Sequence, residues 1–508
     1  MQNEDVKRKM LSGNEAIALS ALHSGVALGV GYPGTPSTEI LENFSELGGN
    51  AEWAPNEKVA AEVALGVAFA ESNSLVTMKH VGFNVAQDLF FTAAYSGIQG
   101  GMVVVVADDP GMASSQNEQD TRSIARCGGL PVLEPSSAQE AYDFTALAFE
   151  ISRKFNTIVI IRTTTRVAHT TSVVEFEDKI KPLPAADFKK DIPHHVMVPA
   201  HARPSHRVLR KKLKDLQAWN SEFGPNKIEI KGDELGIISS GVAYQYAREA
   251  APKASIFKVG MSPLPIEKLV EFSKKFKRCI VVEEGDPYMS EILRANGARV
   301  EERDEVWRFG ELNVDRVRAQ IAGDTSFEMP VRKAKPPALC KGCPHIFSFQ
   351  PLVELGLIVA GDIGCYTLAA MKPLSGMDMQ ICMGASIGMG VGMRKVLPEE
   401  KARKVVSVIG DSTFMHSGLT GLAQALYNPP PTGHVIIIVD RSETTKISIE
   451  DTARAMGVKS VEIFNPVRQQ SEYKEHLKQK LQDSEIAVII LRQPCILAAA
   501  AEIKRKAK

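Results

Sequence analysis

The stretch KVVSVIGD at residues 404–411 decides the fold class of this chain. Its apolar residues run on without the polar alternation of a half-exposed strand, which is typical of a strand buried on both faces of a parallel sheet. The run ends at Gly410 and Asp411. Glycine permits a tight turn there, and a carboxylate would lie at the carboxyl edge of the sheet, where α/β proteins bind ligands.

Similar apolar runs recur along the chain and alternate with longer helical patterns. They are MVVVVADD (102–109), TIVIIR (157–162), LGIISS (235–240), CIVVEEGD (279–286), HVIIIVD (434–440) and IAVIILR (486–492). This alternation predicts an α/β protein in which parallel sheets are flanked by helices. With 508 residues, the chain is long enough for about three such units.

Breaks in the pattern divide the chain into three predicted doubly wound α/β domains. Residues 183–230 are rich in proline and basic residues, and we interpret them as a linker. A second proline-rich and basic stretch precedes residue 345. The predicted domains are therefore 1–182, 231–325 and 326–508.

Composition excludes several classes of partner. The chain has 60 basic and 60 acidic residues, so no net charge favours nucleic acid or an anionic membrane. No apolar run approaches the length of a membrane span, which predicts a soluble, cytoplasmic protein. Seven scattered cysteines fit a reducing compartment.

Two cysteines have a spacing with chemical meaning. CKGCPH at 340–345 has the two-residue spacing of half a zinc or iron–sulfur site, but no second CxxC exists in the chain. A shaped loop beside a cofactor is the alternative that we favour. The remaining cysteines are interpreted as plain thiols: Cys127, Cys279, Cys365, Cys382 and Cys495. The histidines of the linker (His194, His195, His201 and His206) lack further ligands at metal-binding spacing and are interpreted as solvated.

The last domain carries a candidate metal and anion site. Asp411 offers a hard oxygen ligand for Mg²⁺, and a second strand reaches the same edge about thirty residues later. Upstream, Gly384 opens a glycine-rich helix, MGASIGMGVGM at 383–393. These glycines suit either close approach of the backbone to an anion at the helix N-terminus or tight helix packing.

The first domain has polar clusters at its strand ends. GYPGTPSTEI at 31–40 offers hydroxyl groups, and helix capping is the alternative. Glu57 enters an alanine-rich helix, where a carboxylate either caps the helix or performs proton chemistry. Lys79 and His80 follow a short strand, and a long polar loop follows the strand that ends near residue 108. Polar loops at one sheet edge typically form substrate pockets in α/β enzymes.

Together these motifs resemble the large subunit of indolepyruvate:ferredoxin oxidoreductase, a thiamine diphosphate-dependent 2-oxoacid oxidoreductase, from about residue 10 to 495. The residues that carry the resemblance are GYPGTPSTEI (31–40), NEKVAAEVA (56–64), TMKHVGFNVA (77–86), ADDPGMASSQNEQDTR (107–122), RTTTRVAHT (162–170), CKGCPH (340–345), GDIGCYTL (361–368), MGASIGMGVGM (383–393) and GDSTFMHSG (410–418).

The resemblance implies a pyrimidine-binding domain at 1–182, a transketolase C-terminal-like domain at 231–325 and a diphosphate-binding domain at 326–508. It implies a homodimer, or a heterotetramer with a small accessory subunit. Glu57 would exchange a proton with the aminopyrimidine ring of the cofactor. Asp411 would ligate Mg²⁺. The other residues implied to line the cofactor are Cys343, His345, Gly364, Cys365, Gly384, Gly410, Ser412 and Arg441.

The resemblance also implies the reaction, the oxidative decarboxylation of an aryl 2-oxoacid to an acyl-coenzyme A with electrons passed to ferredoxin. Lys79 and His80 would be catalytic, whereas Thr35 and Arg122 would bind the substrate. Cationic and hydroxyl groups suit a carboxylate.

Three departures from the family pattern bear on this reading. Arg441 replaces the family's asparagine after Asp440, and the loop that follows SETTK (442–446) is short. The family's C-terminal iron–sulfur module has no counterpart beyond Cys495, so no cluster is expected in this chain and electrons would pass to a partner subunit. The alternatives are a non-oxidative decarboxylase or ligase, and a cofactor-free structural or regulatory paralogue.

Overall fold

The structure, a computed structural model, describes residues 6–182, 186–326, 338–441 and 447–498. The chain forms two compact units, residues 1–330 and 331–508. Within the first unit, residues 1–182 supply six strands of a seven-stranded sheet, and residues 231–325 supply three strands of a four-stranded sheet and the edge strand of the larger one, Met261–Ser262. The predicted boundary at 325–326 is followed by residues 327–337, which lie outside the described residues.

The first unit contains a seven-stranded sheet, a four-stranded sheet and a two-stranded sheet. Its strands are β1 (Val6–Leu11), β2 (Val26–Gly31), β3 (Ala51–Trp53), β4 (Asn73–Lys79), β5 (Met102–Asp108), β6 (Val132–Leu133), β7 (Val159–Thr164), β8 (Ser172–Glu177), β9 (Lys227–Glu229), β10 (Leu235–Ser240), β11 (Ser255–Val259), β12 (Met261–Ser262) and β13 (Arg278–Val282).

The helices of the first unit cover its sheets. They are α1 (Gly13–His23), α2 (Thr38–Glu46), α3 (Glu57–Phe69), α4 (His80–Val85), α5 (Gln87–Ser96), α6 (Thr121–Gly128), α7 (Ala138–Phe155), α8 (Thr165–His169), α9 (Ile192–His195), α10 (Pro199–Phe223), α11 (Ala243–Ala250), α12 (Ile266–Ser273), α13 (Tyr288–Ala295) and α14 (Val314–Ala322), with a 3₁₀ turn at Glu305–Arg308.

The seven-stranded sheet has the order β12-β6-β7-β5-β4-β2-β3, and its strands are parallel except for β12. Alternate residues of β5 enter different apolar cores. Val103 and Val105 join one core, while Val104 and Val106 join the other. This burial on both faces explains the unbroken apolar run and confirms the predicted doubly wound fold.

The four-stranded sheet, in the order β13-β10-β11-β9, is linked to the larger sheet through β12. This short strand follows β11 in sequence but pairs antiparallel with β6, with Met261 opposite Leu133. The chain that leaves β11 of the four-stranded sheet therefore continues directly into the edge strand of the seven-stranded sheet.

The segment predicted as a linker, 183–230, forms a large part of the first unit instead. Within it, α10 spans 25 residues and buries Leu209 and Leu216 against the two cores of the seven-stranded sheet. The apolar periodicity of α10 is hard to recognise in the sequence, because the helix buries only one narrow face and most of its other positions are charged or polar. Residues 183–185 lie outside the described residues.

The second unit is a five-stranded parallel sheet in the order β14-β15-β16-β18-β17. Its strands are β14 (Ile358–Ala360), β15 (Val405–Gly410), β16 (His434–Asp440), β17 (Ser460–Phe464) and β18 (Ile486–Arg492). Its helices are α15 (Pro344–Glu354), α16 (Ala385–Val396), α17 (Glu399–Ala402), α18 (Asp411–Thr413), α19 (Leu419–Tyr427), α20 (Ile449–Ala455) and α21 (Gln470–Gln482), with a 3₁₀ turn at Cys365–Ala370 and a π turn at Phe414–Gly418.

Adjacent strands β15 and β16 bring their carboxyl ends together. Gly410 pairs with Val439, so Asp411 and Asp440 follow side by side at this edge, and Arg441 comes directly after Asp440. Among the described residues, no helix is long and apolar enough to cross a membrane.

Candidate active site

At the carboxyl edge of the seven-stranded sheet, the loop after β5 is folded around Asp109. The Asp109 carboxylate accepts hydrogen bonds from the Ser114 amide (2.8 Å), the Ser115 hydroxyl (2.7 Å) and the Thr165 hydroxyl (3.1 Å). These bonds hold the pKa of Asp109 below its usual value against the opposing effect of burial. A charged carboxylate therefore fixes the shape of this loop.

Lys79 ends β4 and reaches the same loop. Its ammonium group donates to the Ser114 carbonyl at 3.0 Å, and the Ser114 hydroxyl donates to the Thr35 carbonyl at 3.3 Å. Burial lowers the pKa of Lys79, and the negative charge of Asp109 partly offsets this. The structure thus brings two predicted site residues, Lys79 and Thr35, together through Ser114.

The turn after β2 uses its hydroxyl groups differently from simple helix capping. Ser37 precedes α2, but its hydroxyl donates to the Gly34 carbonyl at 2.9 Å and makes no capping bond. The Thr38 hydroxyl accepts from the Gly34 amide at 2.8 Å. Thr35 is exposed. Of the three hydroxyl groups, that of Thr35 is the one that remains accessible to a ligand.

His80 is fully buried at the start of α4, directly after Lys79. Its Nε2 lies 3.2 Å from the Asn117 carbonyl of the same loop, which makes Nε2–H the donor. Its Nδ1 has no hydrogen-bond partner among the described residues. His80 therefore anchors the loop and retains one unused acceptor.

Glu57 is the first residue of α3 and is 6 % exposed. Asn56 caps the helix by accepting from the Val59 amide at 2.9 Å. Of the two roles that the sequence leaves open for Glu57, capping is thus performed by its neighbour. The Glu57 carboxyl packs against the backbone of Gly82 in α4.

Arg122, expected at the substrate, is a structural residue instead. It is 0 % exposed and ion-paired with Asp120 (2.5 Å) and Glu283 (2.9 Å), and it also donates to the Glu284 carbonyl. These carboxylates hold its pKa well above the usual value against the effect of burial. Since its donors are occupied and inaccessible, Arg122 cannot bind a substrate carboxylate.

In the second unit, Asp411 lies buried at the end of β15. Its carboxylate accepts from the Ser412 amide at 2.9 Å, and the backbone amide of Arg441 approaches it at 3.4 Å. Mg²⁺ binds proteins through one or two carboxylates and completes its shell with phosphate oxygens and water. Asp411 fits this pattern for a magnesium diphosphate, and the guanidinium of Arg441 offers a partner for diphosphate oxygens.

Tyr366 organises the neighbourhood of Asp411, although the sequence did not single it out. Its hydroxyl accepts from the Gly410 amide at 2.9 Å and donates to the Ile363 carbonyl at 3.2 Å. A Cβ atom on either Gly364 or Gly410 would lie under 3 Å from its ring. The position of Tyr366 within GDIGCYTL, directly after the predicted cofactor residues Gly364 and Cys365, was the available signal.

His345, in the first turn of α15, stacks edge-on against Tyr366, with ring centroids 5.8 Å apart. Burial and the positive charge of Arg441 lower its pKa to about 4, and Asp411 opposes them. His345 is therefore neutral at physiological pH and close enough to Arg441 and Asp411 to sense both charges.

The N-terminus of the glycine-rich helix α16 already holds an internal carboxylate. Asp362 accepts from the amides of Gly384 (2.9 Å) and Ser386 (3.1 Å). The Gly384 amide thus donates to Asp362 within the chain. Gly390 packs against Ser407 and His434, so tight packing, the other reading of these glycines, explains this position.

Cys343, which precedes α15, is a buried thiol. Burial raises the pKa of Cys343, and the thiols of Cys340, Cys495 and Cys365 lie close enough to raise it further. Cys340 and Cys365 are exposed. Within the described part of the chain, no three side chains form a group suited to a metal ion. The predicted short loop at 442–446 lies outside the described residues.

Two family models match the two halves of this geometry. Residues 20–225 match the thiamine diphosphate-binding domain of pyruvate flavodoxin/ferredoxin oxidoreductases. Residues 362–442 match the C-terminal thiamine pyrophosphate-binding domain of thiamine pyrophosphate enzymes. The first match contains Glu57, Lys79 and α10, and the second contains Asp411 and Arg441.

Curated relatives extend the match to nearly the whole chain. The chain is 38 % identical to the indolepyruvate oxidoreductase subunit IorA of Archaeoglobus fulgidus, over 100 % of this chain and 90 % of the relative. It is 37 % identical to the same subunit of Methanothermobacter thermautotrophicus, over 97 % of this chain and 87 % of the relative. The chain belongs to the indolepyruvate oxidoreductase family.

This family consists of thiamine diphosphate-dependent 2-oxoacid oxidoreductases, which agrees with both domain matches. The alignment with the Archaeoglobus relative runs over 569 residues, longer than the 508-residue chain, so that relative carries segments without a counterpart here. A 2-oxoglutarate:ferredoxin oxidoreductase from Magnetococcus marinus has a similar fold, with a TM-score of 0.52 and 18 % identity over 64 % of this chain and 66 % of that one.

Proposed function

We propose that this protein is the catalytic subunit of an enzyme that oxidatively decarboxylates aryl 2-oxoacids of the indolepyruvate type. The observation that carries the proposal is the placement of Glu57, which is buried at the start of α3 and relieved of helix capping by Asn56. A buried carboxylate at the start of a helix is suited to proton chemistry. The relatives named indolepyruvate oxidoreductase supply the substrate class.

The proposed reaction balances with coenzyme A and a one-electron acceptor. The bond between the carboxylate and the keto carbon breaks and releases carbon dioxide, and the thiol sulfur of coenzyme A forms a bond to the former keto carbon. Two electrons leave to two ferredoxin-type acceptors, and the thiol proton is released. Thiamine diphosphate, when bound, stabilises the carbanion that decarboxylation produces.

The residues of this chain have separate tasks in the proposal. Glu57 exchanges a proton with the aminopyrimidine ring of the cofactor. Lys79 and the exposed Thr35 bind the substrate carboxylate, and His80 anchors the loop that supports them and offers its free Nδ1 as an acceptor. Asp411 holds Mg²⁺.

The remaining predicted cofactor residues divide into two groups. Arg441 pairs with the diphosphate, while Ser412 and Gly410 shape the strand end around Asp411. His345, Gly364, Cys343 and Cys365 form the adjoining wall. The proximity of His345 to the charges of Asp411 and Arg441 supports this grouping.

We further propose that the enzyme acts in the cytoplasm as a homodimer or heterotetramer with a small subunit, and that electrons leave to iron–sulfur clusters of a partner. The description of the relatives as subunits supports a multi-subunit assembly. Cys343 and the three cysteines that raise its pKa, Cys340, Cys365 and Cys495, define a test of the electron path. If the anaerobically purified chain contains iron and acid-labile sulfide, this chain carries its own cluster and the proposed direct transfer to a partner is wrong. If it contains neither, the result agrees with direct transfer to a partner.

Calorimetry and turnover test the proposal together. Thiamine diphosphate with Mg²⁺ is titrated into the protein with its small subunit, and indolepyruvate-dependent reduction of a viologen is then measured with coenzyme A. We expect binding and turnover in the parent, binding without turnover in Glu57→Gln, and loss of Mg²⁺-dependent binding in Asp411→Asn.

Two outcomes would favour the alternatives. Failure of the parent to bind the cofactor would identify a structural or regulatory paralogue, for which the replacement of asparagine by Arg441 is the motivating observation. Release of aldehyde without any electron acceptor would identify a non-oxidative decarboxylase.

A further inference from the structure

The carboxyl end of Glu57 lies directly against the backbone of Gly82. A Cβ atom added to Gly82 would lie 2.6 Å from both Cγ and Oε1 of Glu57 and 2.8 Å from its Cδ. Real Cβ atoms essentially never approach other heavy atoms so closely, since optimal carbon contacts are about 3.5–4.0 Å. The absence of a side chain at Gly82 is therefore what leaves room for the carboxyl group.

No other observed feature of Gly82 calls for glycine. The residue lies inside α4, and its φ is not in the left-handed region that favours glycine. Alanine is the better helix former at such a position. The three atoms nearest to the added Cβ all belong to Glu57.

Other glycines of the same unit show how specific this contact is. Gly66 lies on the same helix as Glu57, and a Cβ atom there would meet nothing within 4 Å. At Gly31, a Cβ atom would instead meet backbone and side-chain atoms of Thr77. Gly82 thus differs from both, because the three atoms nearest to its added Cβ belong to a side chain proposed to perform chemistry.

We propose that Gly82 is a positioning residue that sets where the Glu57 carboxyl group lies. This inference rests on the proposed function of Glu57. A group that exchanges a proton must lie within hydrogen-bond reach of its partner atom, and a displacement of about 1 Å can lower a rate about a hundredfold. A methyl group at position 82 enforces a displacement of this size, because the overlap is roughly 1 Å.

We expect such a methyl group to displace the Glu57 carboxyl more than it lowers the stability of the folded protein. The clashing atoms, Cγ, Cδ and Oε1 of Glu57, all belong to a rotatable side chain, so rotation about its bonds moves the carboxyl while the backbones of α3 and α4 stay in place. The better helix propensity of alanine also favours the folded state. Gly82→Ala should therefore fold, and its defect should lie in proton transfer.

The first experiment does not depend on catalysis. Urea unfolding midpoints are compared for Gly82→Ala in the parent and in a Glu57→Ala background, where the methyl group has room. We expect the midpoint change caused by Gly82→Ala to be more favourable in the Glu57→Ala background. Equal changes in both backgrounds would overturn the contact on which the inference depends.

The second experiment reads the position of the carboxyl. The thiazolium C2 proton of bound thiamine diphosphate is followed as it exchanges with deuterium, and cofactor affinity is measured by calorimetry. We expect Gly82→Ala to slow the exchange about a hundredfold with an unchanged dissociation constant. Gly66→Ala, the matched control on α3, should change neither quantity.

The outcomes separate this inference from the proposed function. Unaltered exchange in Gly82→Ala, together with slow exchange in Glu57→Gln, would overturn the role of Gly82 and leave that of Glu57 intact. Rapid exchange in Glu57→Gln would overturn the proposed function itself, and with it this inference. Slow exchange in Gly66→Ala would show that the defect follows from any substitution in this region, which would also overturn it.

Discussion

The side chain of Lys79 is held in one position at the edge of the seven-stranded sheet. Its aliphatic stem lies across Gly34, where an added Cβ atom would meet its Cγ and Cδ at 2.9 Å, and its ammonium group is fixed by the Ser114 carbonyl. Burial lowers its pKa, so the folded protein holds this cation in a partly desolvated place. Desolvated cations bind carboxylates more strongly than exposed ones.

We therefore expect Lys79→Met to weaken binding of the 2-oxoacid. Loss of a hydrogen bond to a charged group costs about 1.5–3 kcal/mol, which corresponds to an increase of about ten- to a hundredfold in KM. Steady-state kinetics check this, with Lys253→Met as a control at an exposed site. An unchanged KM would remove Lys79 from the substrate site.

At the scale of the element, α10 shows that an apparently polar segment can be integral to a domain. Its buried residues are few, but Leu216 is 0 % exposed and packs into the core formed by β5 and α7, while Leu209 contacts the opposite core. Asn220 also binds the carbonyls of Met261 and Pro263, which fixes the end of α10 beside β12.

Leu216→Ala should destabilise the first unit by about 2–5 kcal/mol, the usual range for a leucine removed from a core. Urea denaturation followed by circular dichroism checks this. Val208→Ala, on the same helix but 56 % exposed, provides the comparison and should cost far less. Equal small losses would restore the interpretation of this segment as a linker.

The packing of α16 on β15 and β16 depends on a buried neutral histidine. His434 Nε2 bonds the Ser407 hydroxyl at 2.7 Å, and that hydroxyl donates to the Ser386 carbonyl, so Nε2 carries the proton. Burial, together with the charge of Arg394, lowers the pKa of His434 to about 3.

Between about pH 3 and 6.5, the unfolded chain therefore binds a proton at His434 that the folded protein excludes. Stability is fully present above this window and is lost as the pH falls through it, by about 1.4 kcal/mol per pH unit. His434→Gln should remove this part of the pH dependence in denaturation measured from pH 4 to 7. The exposed His169→Gln should leave the slope of the parent.

At the scale of the whole molecule, the first unit is held together by buried charges between its two larger sheets. Arg122 follows β5 and pairs with Glu283 at the end of β13, and Arg162 of β7 pairs with Asp108 and Glu134. All of these side chains are at least 95 % buried. Arg122, one member of this network, was predicted from sequence to bind the substrate, because charged residues at strand ends serve both purposes.

Arg122→Met should lower the free energy of unfolding by about 3–5 kcal/mol, since it leaves Asp120 and Glu283 buried without their partner. Chemical denaturation tests this, and Arg207→Met, at an exposed position, is the control. The KM of the folded variant for the 2-oxoacid should stay at the parental value. A raised KM with normal stability would return Arg122 to the substrate site.

Much of the fold and part of the site could be predicted, because they follow from the residue pattern of short stretches of sequence. Unbroken apolar runs predicted the parallel strands, and residues directly after them, such as Asp411 and Lys79, had to lie at a sheet edge. The roles of Arg122 and Gly384 could not be predicted, because each depends on a carboxylate that the fold brings near: Glu283, 161 residues away from Arg122, and Asp362 at the N-terminus of α16.

The sequence by itself determined the strand pattern, the family and the identity of the residues at the strand ends, because these depend on short stretches of chain. Tertiary structure alone decided which of those residues bond to other parts of the chain and which remain available to a ligand. Glu283 pairs with Arg122, Asp362 accepts from the amide of Gly384, and the missing side chain of Gly82 leaves room for the Glu57 carboxyl. The physical reason is that hydrogen bonding, ion pairing and steric contact depend on distance in space, which separation along the chain does not fix.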